Sequence, residues 1–596
     1  MKKAYRYTKI HLFFLISILA FASTGFGAKN QEEPNGYPID SDVFTTLQRT
    51  VVPDPKPATE INLYDISKYK KYGYGKWTFG APLKSVIRTD IMPALYDGSA
   101  VVKKEKLLSF STISDIHITD KEAPNQLIYI QQLHAKQAIG ASLYSGSMLY
   151  TTQVLDATVQ TINALHKINP FDFVISLGDA ANSTQYNEIR WYIDVLDGKV
   201  ITPSSGANLG AKKIDYQKSF KAAGLDKTIP WYQTLGNHDH FYVGSIPVDY
   251  SSRKDLRQSY ISDTVFATGD VLTNPALINN QDFYTGLIDG STPNGNIKFA
   301  GPIADFKKAP KVAADPNRRS LLRTEWMKEF FNTTSNPAGH GFNLADADKG
   351  FACYSFIPKT DVPIKVIVID NTQNEDDGSA DIHGHGFLDQ ARWDWLKKEL
   401  ADGDSAGQLM IIAAHIPIDV EVTAPRSEMG WWVDPKNAVT LPNLIAELQN
   451  HPNLIMWISG HRHLNTIKAF KSPDPVKAPE KGFWQIETSS LRDFPQQFRT
   501  FVIYLNSDNT LSIVATNVDP AVKEGTPAYK SREYSVAAQQ ILDADISNNN
   551  PTKDPTIMPM PGGSYNAELI KQLTPEMQAK LKKLVNKQSV LQGKVI

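Results

Sequence analysis

Leu235-Gly236-Asn237-His238-Asp239-His240 gathers an amide, an imidazole and a carboxylate into one turn, directly after the apolar run Ile229 to Leu235. Such a turn has the groups to hold a metal ion and to move a proton. Alone it reads more readily as a solvated turn than as an active site, because Asn and Asp favour turns through hydrogen bonds to their own backbone. Its weight comes from four other polar clusters, each placed after its own β-like apolar run.

The run Lys106 to Ile113 predicts a strand that ends in Ser114-Asp115-Ile116-His117. Two residues apart in extended backbone, that carboxylate and imidazole point to the same side. Val154, Leu155, Val159, Ile162 and Leu165 recur at helical spacing over 149–166 and lead to a second strand, Phe171 to Leu177, ending in Gly178-Asp179. A helix follows through Leu196, and the third strand delivers the Asn-His-Asp turn. Further on, Ile364 to Ile369 ends at Asp370-Asn371, Leu409 to Ala414 at His415-Ile416-Pro417, and Leu454 to Ser459 at Gly460-His461-Arg462-His463. Helices are expected at 321–331, 388–400 and 441–449, and alternating strands at 483–488, 498–505 and 511–515 extend a second sheet. His383-Gly384-His385-Gly386, with interleaved glycines and no strand before it, reads as a flexible loop.

Strands interleaved with helices predict an α/β fold, and open α/β sheets place ligands beyond the carboxyl ends of their strands. Five of the six strands end in candidate ligands: Asp115 and His117, Asp179, Asn237 with His238, His415, and His461 with His463. This set offers nitrogen and oxygen without thiolate, which suits divalent Zn, Mn or Fe.

Composition narrows the class. With 41% hydrophobic and 21% charged residues, the 596-residue chain is an ordinary globular protein with one large core and additions. Its first 28 residues, a basic start followed by the apolar run Ile10 to Ala22 and small residues to Ala28, read as a secretory signal peptide. The expected location is therefore periplasmic or secreted, without a stable membrane anchor. Residues 1–28 hold Lys2, Lys3, Arg6 and Lys9 and no acid, so their loss takes the balance from 62 basic and 63 acidic residues to 58 and 63. That balance, with no basic stripe, argues against a nucleic-acid partner. Cys353 is the single cysteine, which excludes an internal disulfide and a zinc–cysteine site; it reads as a buried strand residue.

Ser-Asp-Ile-His, Leu-Gly-Asp, Leu-Gly-Asn-His-Asp, Ala-His-Ile-Pro and Ser-Gly-His-Arg-His, in this order, resemble the signature blocks of the calcineurin-like metallophosphoesterases. The resemblance covers roughly residues 106–520 and implies a four-layer α/β/β/α sandwich with a dinuclear site at one edge of its sheets. It assigns Asp115, His117 and His463 to one metal, Asn237, His415 and His461 to the other, and Asp179 to the bridge between them. His238 would lie beside the phosphate. Where family members often carry a second acid, three residues after the bridge, this chain has Asn182, which puts an acid role there in doubt.

Organisation follows as a signal peptide over 1–28, an N-terminal extension over 29–105, a catalytic domain over 106–520 and a C-terminal extension over 521–596. Residues 29 to about 60 read as an irregular lead-in, and 241–318 as a long insertion positioned to roof the site. The expected function is an exported hydrolase of small phosphoric mono- or diesters. Two divalent ions roughly 3.5–4 Å apart hold a hydroxide and clamp the phosphoryl oxygens. His238 is the general acid with Asp239 as its orienter, and Asn237, His238 and Arg462 are substrate contacts, Arg462 reading equally as an ion-pair partner. Arg492 and Arg499 are weaker phosphate clamps. The alternative is a metal-dependent binding protein on the same fold that grips its ligand with Trp431-Trp432 and the insertion.

Overall fold

The six strands predicted to carry the site form at Lys103–Ile113, Phe173–Ser176, Trp231–Gln233, Ile364–Ile369, Leu409–Ala414 and Leu454–Ser459. The structure, a computed structural model, describes residues 34–133, 143–248, 254–268, 282–374, 384–418, 436–542 and 565–591. The leading basic and apolar segment and Trp431-Trp432 lie outside them. Among the described residues no helix is long and apolar enough to cross a membrane.

Two sheets carry these strands three and three. In the seven-stranded sheet Lys103–Ile113 pairs parallel with Phe173–Ser176, Phe110 opposite Phe173, and the latter pairs parallel with Trp231–Gln233. In the six-stranded sheet Ile364–Ile369 pairs parallel with Leu409–Ala414, which pairs parallel with Leu454–Ser459. All six carboxyl ends are thereby brought to common edges of two sheets. The third strand is shorter than its apolar run because it lies at a sheet edge. Its outward N–H groups are taken instead by carbonyls of a loop, Trp231 donating to Asn336 and Gln233 to His340.

Alternation explains the layering. Val366, Val368, Ile411 and Ala413 join a core shared with Phe110, Ile175 and Phe501 of the other sheet, while Ile367, Ile369, Ile412 and Ala414 face Trp393, Leu396, Leu400, Leu444 and Leu448 of two helices. These helices, Gln390–Ser405 and Leu441–Gln449, therefore cover the six-stranded sheet on its far side, and the fold is α/β with two packed sheets. On the seven-stranded sheet Val154, Leu155, Val159 and Ile162 of Thr151–Ile168 pack into the same shared core. Cys353 is buried and free, its sulfur accepting from Asp370 N–H.

The regions read as extensions are integral to the seven-stranded sheet. Its order runs from Val86–Arg88 through Ala567–Lys571, Leu511–Val518 and Phe498–Asn506 to Lys103–Ile113. Boundaries at 105 and 520 thus cut through one hydrogen-bonded sheet. Neither is the lead-in wholly irregular, since Thr50–Pro53 pairs antiparallel with Trp77–Gly80, and Ile61, Leu63, Ile66 and Tyr69 pack against Tyr144, Met148 and Tyr534. Within 241–318 the strands Phe283–Asp289 and Asn296–Pro302 pair antiparallel and the helix Lys254–Ile261 precedes them, so the insertion has secondary structure of its own.

Candidate metal centre

All seven expected donors converge. Asp115, His117 and His463 bring one ligand atom each within 4.8 Å of one another, and Asp179, His415 and His461 do the same. Asp179 stands between the groups, its Oδ2 3.6 Å from His117 Nε2 and 3.3 Å from His415 Nε2. Asn237 Oδ1 completes the second group, 2.9 Å from His415 Nε2. In the first, His463 Nε2 lies 3.1 Å from His117 Nε2 and 3.5 Å from Asp115 Oδ1.

The chain holds these atoms in place at a conformational cost. Asp115, His117, Asp179, His461 and His463 all have positive φ, between 47° and 75°. For a residue with a Cβ the left-handed region costs roughly 1–2 kcal/mol each. A mesh of bonds offsets it: Asp115 N–H donates to the Gly178 carbonyl, His117 N–H to that of Asp179, and His461 N–H to both Asp115 carboxylate oxygens. Gly178 and Gly236 are required by close approach. A Cβ on Gly178 would stand 2.7 Å from His415 Nδ1, and one on Gly236 2.2 Å from Asp179 Oδ1.

Outer partners fix which ring nitrogen faces inward. His415 donates from Nδ1 to the Leu177 carbonyl at 2.8 Å, and His463 from Nδ1 to Asp493 Oδ2 at 2.6 Å, leaving each Nε2 turned to the centre. Asn237 donates its amide to the Gly244 carbonyl at 2.8 Å, so its oxygen faces His415. Gly244, at φ +76°, has no room for a side chain, because a Cβ there would lie 2.4 Å from His238 Cδ2 and 2.5 Å from the Asn237 amide nitrogen.

These residues fit a pair of divalent ions. Nitrogen and oxygen ligands at about 2.0–2.2 Å from an ion, at octahedral to tetrahedral angles, lie roughly 2.8–3.6 Å from one another around it, and the observed separations of 2.9 to 3.6 Å match such polyhedra. Electrostatics agree. Burial works against charge on His463, yet Asp115 and Asp493 outweigh it and push the imidazole up to about 10. Burial likewise opposes charge on His415, and Asp179 outweighs it, to about 9. Each half of the centre therefore favours positive charge. His117 and His461 are held well below the ordinary histidine range, by burial first and neighbouring imidazoles next.

His238 is beside this centre, its ring centroid 4.5 Å from that of His117. Asp239 does not orient it. That carboxylate accepts from the backbone N–H groups of Asp179, Ala181 and Gly236, bracing the bridge instead. His238 Nδ1 donates to the Asn182 carbonyl at 2.6 Å. Asn182, which sequence left without a role, thus sets the tautomer. Nor does Arg462 have a free guanidinium, since Nε and Nη2 engage the buried Glu487 carboxylate, Nε at 2.7 Å. The ion pair pins the backbone between two ligand histidines. Arg499 donates to the Tyr565 carbonyl and to Asn465 and is structural. Of the His-Gly-His-Gly segment, Gly384 packs against the Asn237 amide and His385 is buried, so this loop supports the site; His383 lies outside the described residues.

Residues 109–337 match the family model of the calcineurin-like phosphoesterases. This part of the chain is a calcineurin-like phosphoesterase domain. His415, His461 and His463 lie beyond the matched residues and reach the centre through the second sheet. No curated protein matches the chain. Among solved structures it is similar to a dimetal phosphatase from Danio rerio, at 13% identity and a TM-score of 0.34, over 70% of this chain and 100% of that one. It is also similar to PhoD, at 8% identity and 0.32, over 87% and 81%. The sulfate thiohydrolase SoxB of Thermus thermophilus, crystallised with glycerol, is similar at 10% identity and 0.26, over 76% and 63%.

Proposed function

We propose that this chain is an exported hydrolase of small phosphoric esters that works with two divalent ions, Mn, Fe or Zn. The observation that carries the reading is the convergence of seven nitrogen and oxygen donors, from five separate strand ends, into two groups that share Asp179. When bound, two such ions activate water as a nucleophile and neutralise phosphoryl charge. Asp115, His117 and His463 would hold one, Asn237, His415 and His461 the other, with Asp179 common to both.

The chain's own residues do the rest. His238 donates from Nδ1 to the Asn182 carbonyl, so Nε2 is the atom that exchanges a proton with the leaving-group oxygen. Asn237 Nδ2, fixed by the Gly244 carbonyl, keeps its oxygen inward. Burial of the centre excludes bulk water and strengthens every charge interaction within it. The apolar, basic-led first 28 residues support export as their signal.

Purified protein supplied with Mn²⁺ should hydrolyse chromogenic phosphate esters and bind two equivalents of metal by elemental analysis. His238→Ala should lower kcat by about 10²–10⁴-fold with metal content retained. Equal rates for the two proteins would remove His238 from the reaction, and N-terminal sequencing of the exported protein would check cleavage near Gly27 or Ala28.

A further inference from the structure

We infer that Asn371 is a positioning residue that sets the metal affinity of the Asn237–His415–His461 half of the centre without supplying a donor atom to it. This deepens the two-metal reading and rests on it. Of the six strands that converge on the centre, Ile364–Ile369 is the one whose end supplies no donor. Asp370, next in the chain, is paired with Arg323 and Arg392. Asn371 turns instead to the neighbouring strand end, where its Nδ2 donates to the Ile416 carbonyl at 2.7 Å and its Oδ1 accepts the Ile416 N–H at 3.1 Å. Ile416 directly follows the ligand His415, and Ile416 and Asn371 are both fully buried.

The backbone around His415 explains why a side chain is needed there. The parallel ladder between the two strands ends at Ile369 opposite Ala414, and the chain then bends at His415 and Ile416. Pro417 brings no N–H to resume the ladder. Both main-chain groups of Ile416 are left in the interior, and among the described residues Asn371 is their one hydrogen-bond partner. A primary amide offers a donor and an acceptor side by side, so Asn371 stands in for a strand and carries the pairing two residues further, round the bend that holds His415. The His415 carbonyl in turn accepts the Gly460 N–H at 2.9 Å, directly before His461. Two ligands of one ion are thereby registered against each other and against Asn371. The Asn371 carbonyl also accepts the Phe387 N–H, at the end of the loop whose Gly384 packs on Asn237, the third ligand. The other half has different supports, Ser490 on the Asp115 carbonyl and Asp493 on His463.

The test titrates the metal-stripped full chain with Mn²⁺ in a calorimeter and follows the loaded chain by electron paramagnetic resonance. Wild type should bind two equivalents and show a spin-coupled pair. Asn371→Ala should weaken one event by about 10–100-fold, leave the other within about threefold, and, at two equivalents of Mn²⁺, replace the coupled signal by that of isolated ions. The same substitution should weaken the remaining event in a His463→Ala chain and leave it unchanged in a His461→Ala chain, which assigns the effect to its half. Asn371→Asp keeps the acceptor for the Ile416 N–H and loses the donor; it should weaken the same event by about tenfold, and it serves if the alanine variant unfolds. Turnover of a chromogenic phosphate ester, lost in the variants at two equivalents of Mn²⁺, should return in about hundredfold excess. Equal weakening of both events, no weakening in either variant, or failure of both variants to fold would overturn the assignment and leave the phosphoesterase reading standing. A wild type that binds two ions yet turns over no ester would overturn that reading and leave the positioning role, and one that binds fewer than two would overturn both.

Discussion

Replacing Asp493 by asparagine tests how much of the metal centre is built outside its ligands. Asp493 Oδ2 takes the Nδ1 proton of His463 at 2.6 Å, a short charge-assisted bond. It holds the ring so that Nε2 faces His117 and Asp115, and it makes that nitrogen a better electron donor. An asparagine keeps the shape. If its oxygen accepts the bond, the charge is lost; if its amide faces the ring, two donors oppose each other and the imidazole turns. Removal of such an outer carboxylate weakens a metal site by about 10–100-fold, or ~1.4–2.7 kcal/mol. Because the Asp493 carboxylate bonds to His463, a ligand of the Asp115–His117–His463 half, one of two binding events should weaken and the other stay. Calorimetric titration of metal-free protein with Mn²⁺ resolves the two. Equal weakening of both events, or no change in either, would refute the argument that Asp493 acts through His463.

Gly244→Ala should lower kcat by about tenfold or more and stability by roughly 1–2 kcal/mol, through φ +76° and the contacts with His238 and Asn237, as read by kinetics and denaturant melts. Asp239→Asn leaves one of three buried backbone N–H groups facing an amide donor and should cost about 1–3 kcal/mol in the same melts, with the metal-free protein used to separate fold from site. Asp156 gives a pH test remote from the centre: burial outweighs its bonds from Ala223 and Gln160 and raises its carboxyl from 3.8 to about 6. The folded chain then keeps a proton that the unfolded chain releases. Stability from this group is full below pH 3.8 and is lost, by ~3 kcal/mol, as pH rises through 6. Asp156→Asn should flatten that slope between pH 4 and 7, and an unchanged slope would exonerate Asp156.

The ligands were legible because each follows an apolar run, and the order of strand ends carried the resemblance. Helix positions were equally clear where apolar spacing was regular, as in Leu441–Gln449. What holds the ligands was not. Leu177, Gly244 and Asn182 act through main-chain carbonyls, which every residue owns, so their side chains give no signal. Asp239 is adjacent to His238 in sequence, yet its side chain turns to the Asp179 and Gly236 backbone, and adjacency misled. Arg462 sits between two ligand histidines, but Glu487, on a neighbouring strand, claims it. The terminal strands were hidden by brevity, Val86–Arg88 having three residues and Ala567–Lys571 five, and by a pairing whose partners are nearly five hundred positions apart.

That last pairing bears on how the chain is made. Ala567 lies opposite Val86 and, on its other side, Ala515. A ribosome releases residues in order, so the sheet beneath the Asp115 loop keeps an open flank until Ala567–Lys571 has emerged, nearly five hundred positions after Val86. Pairings this remote are slow to close, and an unsealed sheet flank invites association with other chains. Closure of the sheet should therefore be a late event, in which a partner that shields the waiting flank of Leu511–Val518 would raise the yield of native protein.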